Sequence, residues 1–174
     1  DADAKKLMPL LERLKETLEN GKPARSLEFT DAEMEIVRPL HLITMKRVLY
    51  ACNIDEGALH EDNDFVKVVR EIADSENARC IKICGQLEAE IAELETDEEK
   101  EEFLNDAGLE ESGLSHLIHE GYAMLGLRTY FTAGEQEVRA WTYKDGDKAP
   151  QAAGVIHTDF EKGFIKAEVY HCED

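Results

Sequence analysis

Two short segments place polar groups where a ligand could be read. The first is Asn53-Ile54-Asp55-Glu56, which follows the apolar run Val48–Cys52. An amide and a carboxylate three residues apart, just past a strand, suit a nucleotide base. A carboxylate accepts two hydrogens from guanine's N1–H and N2–H₂. Adenine instead sets an N6–H₂ donor beside an N1 acceptor, which a carboxylate repels. The Asn53 amide can bond N7 and N6–H₂ together, the pairing by which Asn reads adenine. Ile54 can pack on a base face. The second segment is Ile83-Cys84-Gly85-Gln86, which ends another strand-like run. Backbone N–H groups there could cover the other face of the base, and Gly85 would let the chain come close. Each segment also has a plainer reading, as a strand-to-helix turn that happens to hold Asn or Gly.

GTPases end a strand with Asn-Lys-x-Asp, whose Asp reads the guanine edge. Here the Lys is Ile54 and the Asp is Glu56. The extra methylene moves the carboxylate by about 1.3 Å, from ordinary bond geometry. A fitted, charged bidentate contact does not survive that shift intact, so a guanine preference would be weakened or lost. The chain contains no G-x-x-x-x-G-K-[ST] and no D-x-x-G. The phosphate cradle and Mg²⁺-holding groups that phosphoryl transfer needs are therefore not in these residues.

Other clusters point to no chemistry. His116, His119 and Glu120 form H-x-x-H-E, which is neither of the zinc-protease helical patterns and reads as surface or packed histidines. Glu95–Glu102 is an acidic helix start that suits the helix dipole. The Asp145–Lys148 turn lacks the ligand order of an EF-hand. Cysteines stand at 52, 80, 84 and 172. Cys80 and Cys84 read as members of one strand, about 13 Å apart, too far to bridge. All four are expected to be thiols in a reducing cytoplasm.

The elements that must hold the two segments follow from periodicity and caps. Leu7, Leu10, Leu11, Leu14 and Leu18 give a helical stripe over residues 2–20, with Pro9 as a possible kink. Asn20-Gly21 and Pro23 end it. No partner for this narrow stripe is obvious downstream. Thr30 and Glu33 form a capping box that starts a helix near Asp31, which Pro39 interrupts. Residues 46–52 read as a strand, 63–76 as a helix and 79–84 as a second strand, hence a parallel βαβ unit. Helices follow at 86–94, from a Thr96/Glu99 capping box to Gly108, and at 113–125. The texture then turns to strands in residues 129–133 and 137–143, a turn at Asp145-Gly146, a short helix from Pro150 and a last strand at 164–170.

With 43% apolar and 34% charged residues among 174, the chain can bury a core without disulfides. No apolar run approaches the ~18 residues of a membrane span. The net charge of −19 argues against broad, nonspecific nucleic-acid binding. Residues 1–127 hold 14 basic and 30 acidic residues, whereas 128–174 hold 6 and 9. The last quarter therefore repels phosphates least. The start is an amphipathic charged helix rather than a signal peptide, and it lacks an initiator Met.

The order of parts resembles the middle and late portion of the YchF/Obg-like ATPases, a branch of the P-loop GTPase class. Residues 127–143 and 149–169 carry the resemblance most specifically, and NIDE (53–56) and 88–104 fit it as well. The resemblance implies an α/β fold, a partial Ras-like P-loop NTPase domain with parallel strands and a helical coiled-coil arm, followed by a partial β-grasp TGS domain. Residues 1–45 would be the returning half of the arm, its partner helix preceding residue 1. Residues 46–127 would complete the nucleotide domain, and 128–174 would be an incomplete TGS domain. Asn53, Ile54 and Glu56 would bind the base in place of the guanine motif, favouring ATP over GTP. Cys84, Gly85 and Gln86 would form the other base loop. The resemblance implies a cytoplasmic, ribosome-associated hydrolase (large subunit or 70S), with ATP or GTP and Mg²⁺, no membrane partner and no sequence-specific DNA. No catalytic residue or Mg²⁺ ligand would lie in this chain, which alone would be inactive. On the alternative reading the arm and TGS domain form a ribosome-, RNA- or protein-binding module, with Arg128, Arg139, Lys144 and Lys148 on the exposed sheet face as phosphate contacts.

Overall fold

A computed structural model describes residues 2–171. The chain divides into two compact units, Asp1–Glu95 and Thr96–Asp174. The change in texture near Leu127 falls at the first residue of a strand, Leu127–Ala133, within the second of these units.

The first unit begins with α1 (Ala2–Glu19), which runs through Pro9. Its Leu10 and Leu14 are buried with Ala24 and Val37, and Leu27, Phe29, Ile36, Leu42 and Met45 pack around them. The stripe thus has a downstream partner: α2 (Asp31–Val37) and the irregular segments on either side of it. Sequence periodicity misses it because most of the partner surface is not one long helix. Arg13 fastens the two elements, donating to Glu33 at 2.6 Å and to the Glu28 carbonyl at 2.8 Å. Thr30 and Glu33 form the expected capping box. Met8 and Leu18, on the same helix, stay exposed.

Next comes a βαβ unit. Strands β1 (Leu49–Asn53) and β2 (Arg79–Ile83) pair in parallel, Leu49 opposite Arg79 and Asn53 opposite Ile83. The crossover is α3 (Asp64–Ser75), capped by the Asn63 side chain, which accepts from the Val66 N–H at 3.0 Å. Val66 and Ala73 on α3 are buried, as is Ile81 on β2. A final helix, α4 (Gly85–Glu93), leaves the end of β2 and buries Leu87.

One charged cluster joins the two parts of this unit. Arg25 lies in the turn after α1, and its guanidinium donates to Glu76 at the end of α3. The Tyr50 hydroxyl donates to the same carboxylate at 3.0 Å. Arg25 also reaches the Thr44 carbonyl at 3.4 Å, while its Nε is buried without a partner. The Arg25 hydrogen bond, with help from Tyr50, holds the Glu76 carboxyl below its ordinary pKa. The same carboxylate, with burial, pushes the Tyr50 hydroxyl up.

The second unit holds α5 (Asp97–Asp106), opened by the Thr96/Glu99 capping box, and α6 (Gly113–Leu125), capped by Ser112. Gly126 ends α6 with φ +67°, a conformation that favours glycine. Strands β3 (Leu127–Ala133) and β4 (Val138–Lys144) form an antiparallel pair, followed by α7 (Ala149–Gly154) and α8 (Thr158–Lys162). The expected strand at 164–170 does not form. Residues 164–170 join no ladder, and Ile165, Val169 and Tyr170 are largely exposed. An alternating pattern records a preference for strand, but a strand exists only where another backbone supplies its hydrogen bonds. Cys172 lies outside the described residues.

Glu76→Gln is expected to lower stability by about 1–2 kcal/mol, because it strands a partly buried guanidinium, and urea denaturation reads this directly. The folded pKa values of Glu76 and Asp62 lie below their unfolded ones. Their contribution is therefore complete above the ordinary carboxylate range and is lost as pH falls through the lowered values. Acid titration followed by circular dichroism should show a stability loss setting in below about pH 4, shallower at that end in Glu76→Gln.

Candidate nucleotide-base site

Parallel pairing brings both predicted segments to the same edge of the sheet. Asn53 is the last residue of β1 and stands opposite Ile83, the last of β2. Ligands of open α/β sheets bind at this carboxyl end, where loops leave the strands. The pairing continues one residue further, as the Ile54 N–H donates to the Ile83 carbonyl at 2.9 Å. The Asn53 side chain then turns across the gap. Its Oδ1 accepts from the Gly85 N–H at 3.4 Å, a long bond that joins the two loops directly. Gly85 opens α4, and Cys84 stands at its N-cap.

Glu56 begins a single 3₁₀ turn, Glu56–Ala58, and is exposed. Gln86 is exposed too, within 3.3 Å of Glu90 one turn along α4. An amide, a carboxylate, a backbone N–H and a second amide thus sit around one strand edge. A Cβ on Gly85 would point beside Asn53 Oδ1, at 3.5 Å. That is an ordinary contact, and without a Cβ the backbone here is bare. These donor and acceptor types fit a purine edge and face.

Two residues sit elsewhere than expected. Ile54 is only 8% exposed and Cys84 only 3%. Both face the interior, so Ile54 offers a base little surface and acts as a core anchor for its loop. Side chains alternate along a strand, and Ile54 continues β1 beyond Asn53, so it points away from the face that Asn53 uses. The sequence pattern identified the loop but not which way its apolar residue turns.

Sequence reasoning also missed what holds the loop after Asn53. Lys82 on β2 donates to the carbonyls of Ala58 and Leu59 at 2.9 and 2.8 Å. It also pairs with Asp62 at 3.1 Å. Asp62 in turn accepts from Arg70 of α3 at 2.8 Å. The hydrogen bond from Arg70, and then that from Lys82, keep the Asp62 carboxyl below its usual pKa. A lysine between the two isoleucines of β2 was the available signal.

The cysteines also differ from expectation. Cys84 lies just past β2, whereas Cys52 and Cys80, on neighbouring strands, bring their sulfurs to 3.7 Å. Both are free thiols, and burial followed by the contact with Cys52 pushes the Cys80 thiol up. His119 pairs with Glu111 at 2.8 Å and His116 lies 4.0 Å from Glu120. Among the described residues no three His, Cys, Asp or Glu side chains are arranged around a common metal position.

Of the four basic residues assigned to one sheet face, three divide between its two faces. Opposite residues of an antiparallel pair share a face. Arg128 stands opposite Tyr143, Tyr130 opposite Trp141, and Thr132 opposite Arg139, so both arginines share a face with three aromatic rings. Lys144 alternates to the other face with Phe131 and Val138. Lys148 precedes α7 and lies on neither strand. The Arg139 guanidinium lies over Trp141, 4.2 Å from the ring centre, and Arg128 pairs with Asp145 at 3.4 Å.

This arrangement of elements is that of a known group. A family model named YchF-GTPase_C, described as a protein of unknown function (DUF933), matches residues 127–174. The "Ribosome-binding ATPase YchF" of Bacillus subtilis is 53% identical over the whole chain, which spans 48% of that protein. Over its whole length the chain is homologous to YchF proteins. The rat "Obg-like ATPase 1" is 40% identical over 90% of the chain and is matched over 40% of its own length. The solved structure of the Schizosaccharomyces pombe YchF GTPase superposes with a TM-score of 0.79 at 37% identity, over 92% of this chain and 43% of that one. The chain thus spans about half the length of the curated relatives it matches. The α/β fold with parallel strands agrees with that match.

Gly85→Ala should leave stability within about 0.5 kcal/mol of the wild type, since the new Cβ meets only an ordinary contact and alanine favours helix. Thermal denaturation of the purified chain checks this.

Proposed function

We propose that this chain is the base-recognition and C-terminal portion of a cytoplasmic, ribosome-associated P-loop ATPase that binds ATP in preference to GTP. The observation that carries the reading is the joining of Asn53 to Gly85 at the carboxyl end of a parallel strand pair. It gathers both loops of a base site at one edge. Asn53 would accept and donate along the adenine edge, Glu56 would stand where GTPases carry the guanine-reading Asp, and Gly85-Gln86 would close over the ring. Ile54 and Cys84 would support these loops from inside. The nucleotide would arrive with Mg²⁺, and the groups that hold its phosphates would lie outside these residues. Relatives named as ribosome-binding ATPases support the ribosome as partner. Residues 1–45 would be the returning half of a helical arm, 46–127 the end of the nucleotide domain and 128–174 the TGS domain.

The division of labour gives a direct test. Residues 1–174 alone should show no ATP turnover, and measurable hydrolysis by the purified chain would refute it. In the full-length protein, Ile54→Lys combined with Glu56→Asp should move the calorimetric ATP/GTP affinity ratio toward GTP. The buried position of Ile54 makes Glu56→Asp the larger contributor, and an unchanged ratio removes Asn53–Glu56 from the base site.

One observation favours a second reading, a ribosome- or RNA-binding module. Arg128 and Arg139 share a sheet face with Tyr130, Trp141 and Tyr143, and stacked aromatics beside cations suit single-stranded RNA. On this reading, ribosome binding by residues 1–174 weakens steeply with salt, and Arg139→Ala weakens it more than Lys144→Ala does. Binding that instead requires nucleotide and the rest of the protein favours the ATPase.

A further inference from the structure

Lys82 is an unusual residue for its position. It lies within β2, and its side chain is only 19% exposed. An apolar residue would satisfy the strand there, and burying an ammonium opposes folding unless every proton finds a partner. Lys82 has three: the Ala58 carbonyl, the Leu59 carbonyl and the Asp62 carboxylate. All three belong to the segment that links Glu56 to α3. None belongs to the sheet.

The contacts fall at the points that fix Glu56. The 3₁₀ turn Glu56–Ala58 closes with the Leu59 N–H on the Glu56 carbonyl at 3.1 Å and the Ala58 N–H on the Asp55 carbonyl at 3.1 Å. Carbonyls at the end of such a turn have no partner within it. The ammonium supplies that partner and sets a positive charge at the negative end of the turn. Beyond it, Asp62 is held a second time by Arg70, and Asn63 caps α3. The loop is pinned at its middle and its end, with its beginning held by Asn53. Lys82 also stands three residues before Gly85 on the same chain. The strand that delivers one loop of the base site therefore grips the other.

We infer that Lys82 is the positioning residue of the base site: its ammonium holds the Glu56 turn against the Gly85-Gln86 loop and so sets which base the pair accepts. The inference rests on the base-reading role proposed for Asn53 and Glu56. Lys82 acts here through its contacts with Ala58, Leu59 and Asp62 rather than on the base. Its effect runs through the placement of Glu56, where a shift of one ångström separates a fitted contact from a missed one.

The test uses the full-length protein, with Mg²⁺·ATP and Mg²⁺·GTP titrated by calorimetry into Glu56→Ala, Lys82→Met and the double variant. Lys82→Met should lower ATP affinity about tenfold, the usual worth of a charged hydrogen bond, and bring the ATP/GTP ratio toward one. The double variant should show the same ratio as Glu56→Ala alone, because the two residues act in series. A loss equal for both nucleotides, or additive with Glu56→Ala, means a structural role only and overturns the inference. If Glu56→Ala changes the ratio and Lys82→Met does not, the Lys82 inference fails while the base-reading assignment stands. If Glu56→Ala leaves the ratio unchanged, the base-reading assignment fails and takes Lys82 with it. Should Lys82→Met not fold, Lys82→Gln is read instead: it removes the charge and ends one atom short of the turn carbonyls, and a ratio equal to wild type at reduced melting temperature overturns the inference.

Discussion

The parallel register of β1 and β2 is the constraint on which the first unit depends. Parallel strands cannot be joined by a tight turn, so α3 must cross between them and bury a face on the sheet. Val66 and Ala73 are the buried positions of that face. Once Asn53 stands opposite Ile83, both strands end at one level and the loops leaving them are neighbours. A slip of one residue would turn Ile81 to the other face and take Lys82 away from Ala58, Leu59 and Asp62. The burial that fixes the register therefore also fixes the distance between Asn53 and Gly85.

Charge clusters clamp the two ends of this layer. Arg25, Glu76 and Tyr50 lie where α3 returns to the start of β2, and Lys82, Asp62 and Arg70 lie where the chain leaves β1 for α3. Half-buried ion pairs contribute little net stability compared with well-packed apolar residues. Their geometric demands are strict, however, and each cluster ties backbone that has no regular structure of its own. Arg25 holds the region around Ala24–Met45 to the strands; Lys82 holds the 3₁₀ turn. These ties matter because the segments they fix lack the repeated hydrogen bonds that would otherwise give them one conformation.

Local signals made most elements legible. Thr30/Glu33 and Thr96/Glu99 announce helix starts because a capping box uses groups three residues apart, and the structure contains both. The βαβ unit was legible from apolar runs of the right lengths. What stayed hidden depended on residues far apart in sequence. The partner of α1 is assembled from short pieces around Ala24 and Val37, which no single periodicity describes. Ile54 could as well have faced a ligand as the core, since its type fits both. Lys82 meets Ala58, Leu59 and Asp62 only after the strands pair. The strand expected at 164–170 had the right residues but no ladder to join, and the sulfurs of Cys52 and Cys80 meet only through a diagonal across the sheet.

In the second unit the same logic separates the two faces of the β3–β4 pair. One carries Tyr130, Trp141 and Tyr143 with Arg128 and Arg139; the other carries Phe131 and Val138, both well exposed. The aromatic face is not a bare platform. The Tyr130 hydroxyl donates to the Ala152 carbonyl of α7 at 3.0 Å, so the helix takes part of it, and burial pushes the Tyr130 hydroxyl's pKa up. Trp141 is held by its own bond to Thr132 at 2.8 Å, and the Arg139 guanidinium sits over the indole. A guanidinium seated over an aromatic face keeps the N–H groups of its own edge free of the ring, where they can meet a phosphate or a carboxylate side-on. In a chain of net charge −19, a polyanion would be drawn to such local geometry rather than to the field of the whole molecule. That places Arg139, not the more scattered Lys144 and Lys148, at the centre of any phosphate contact this sheet makes.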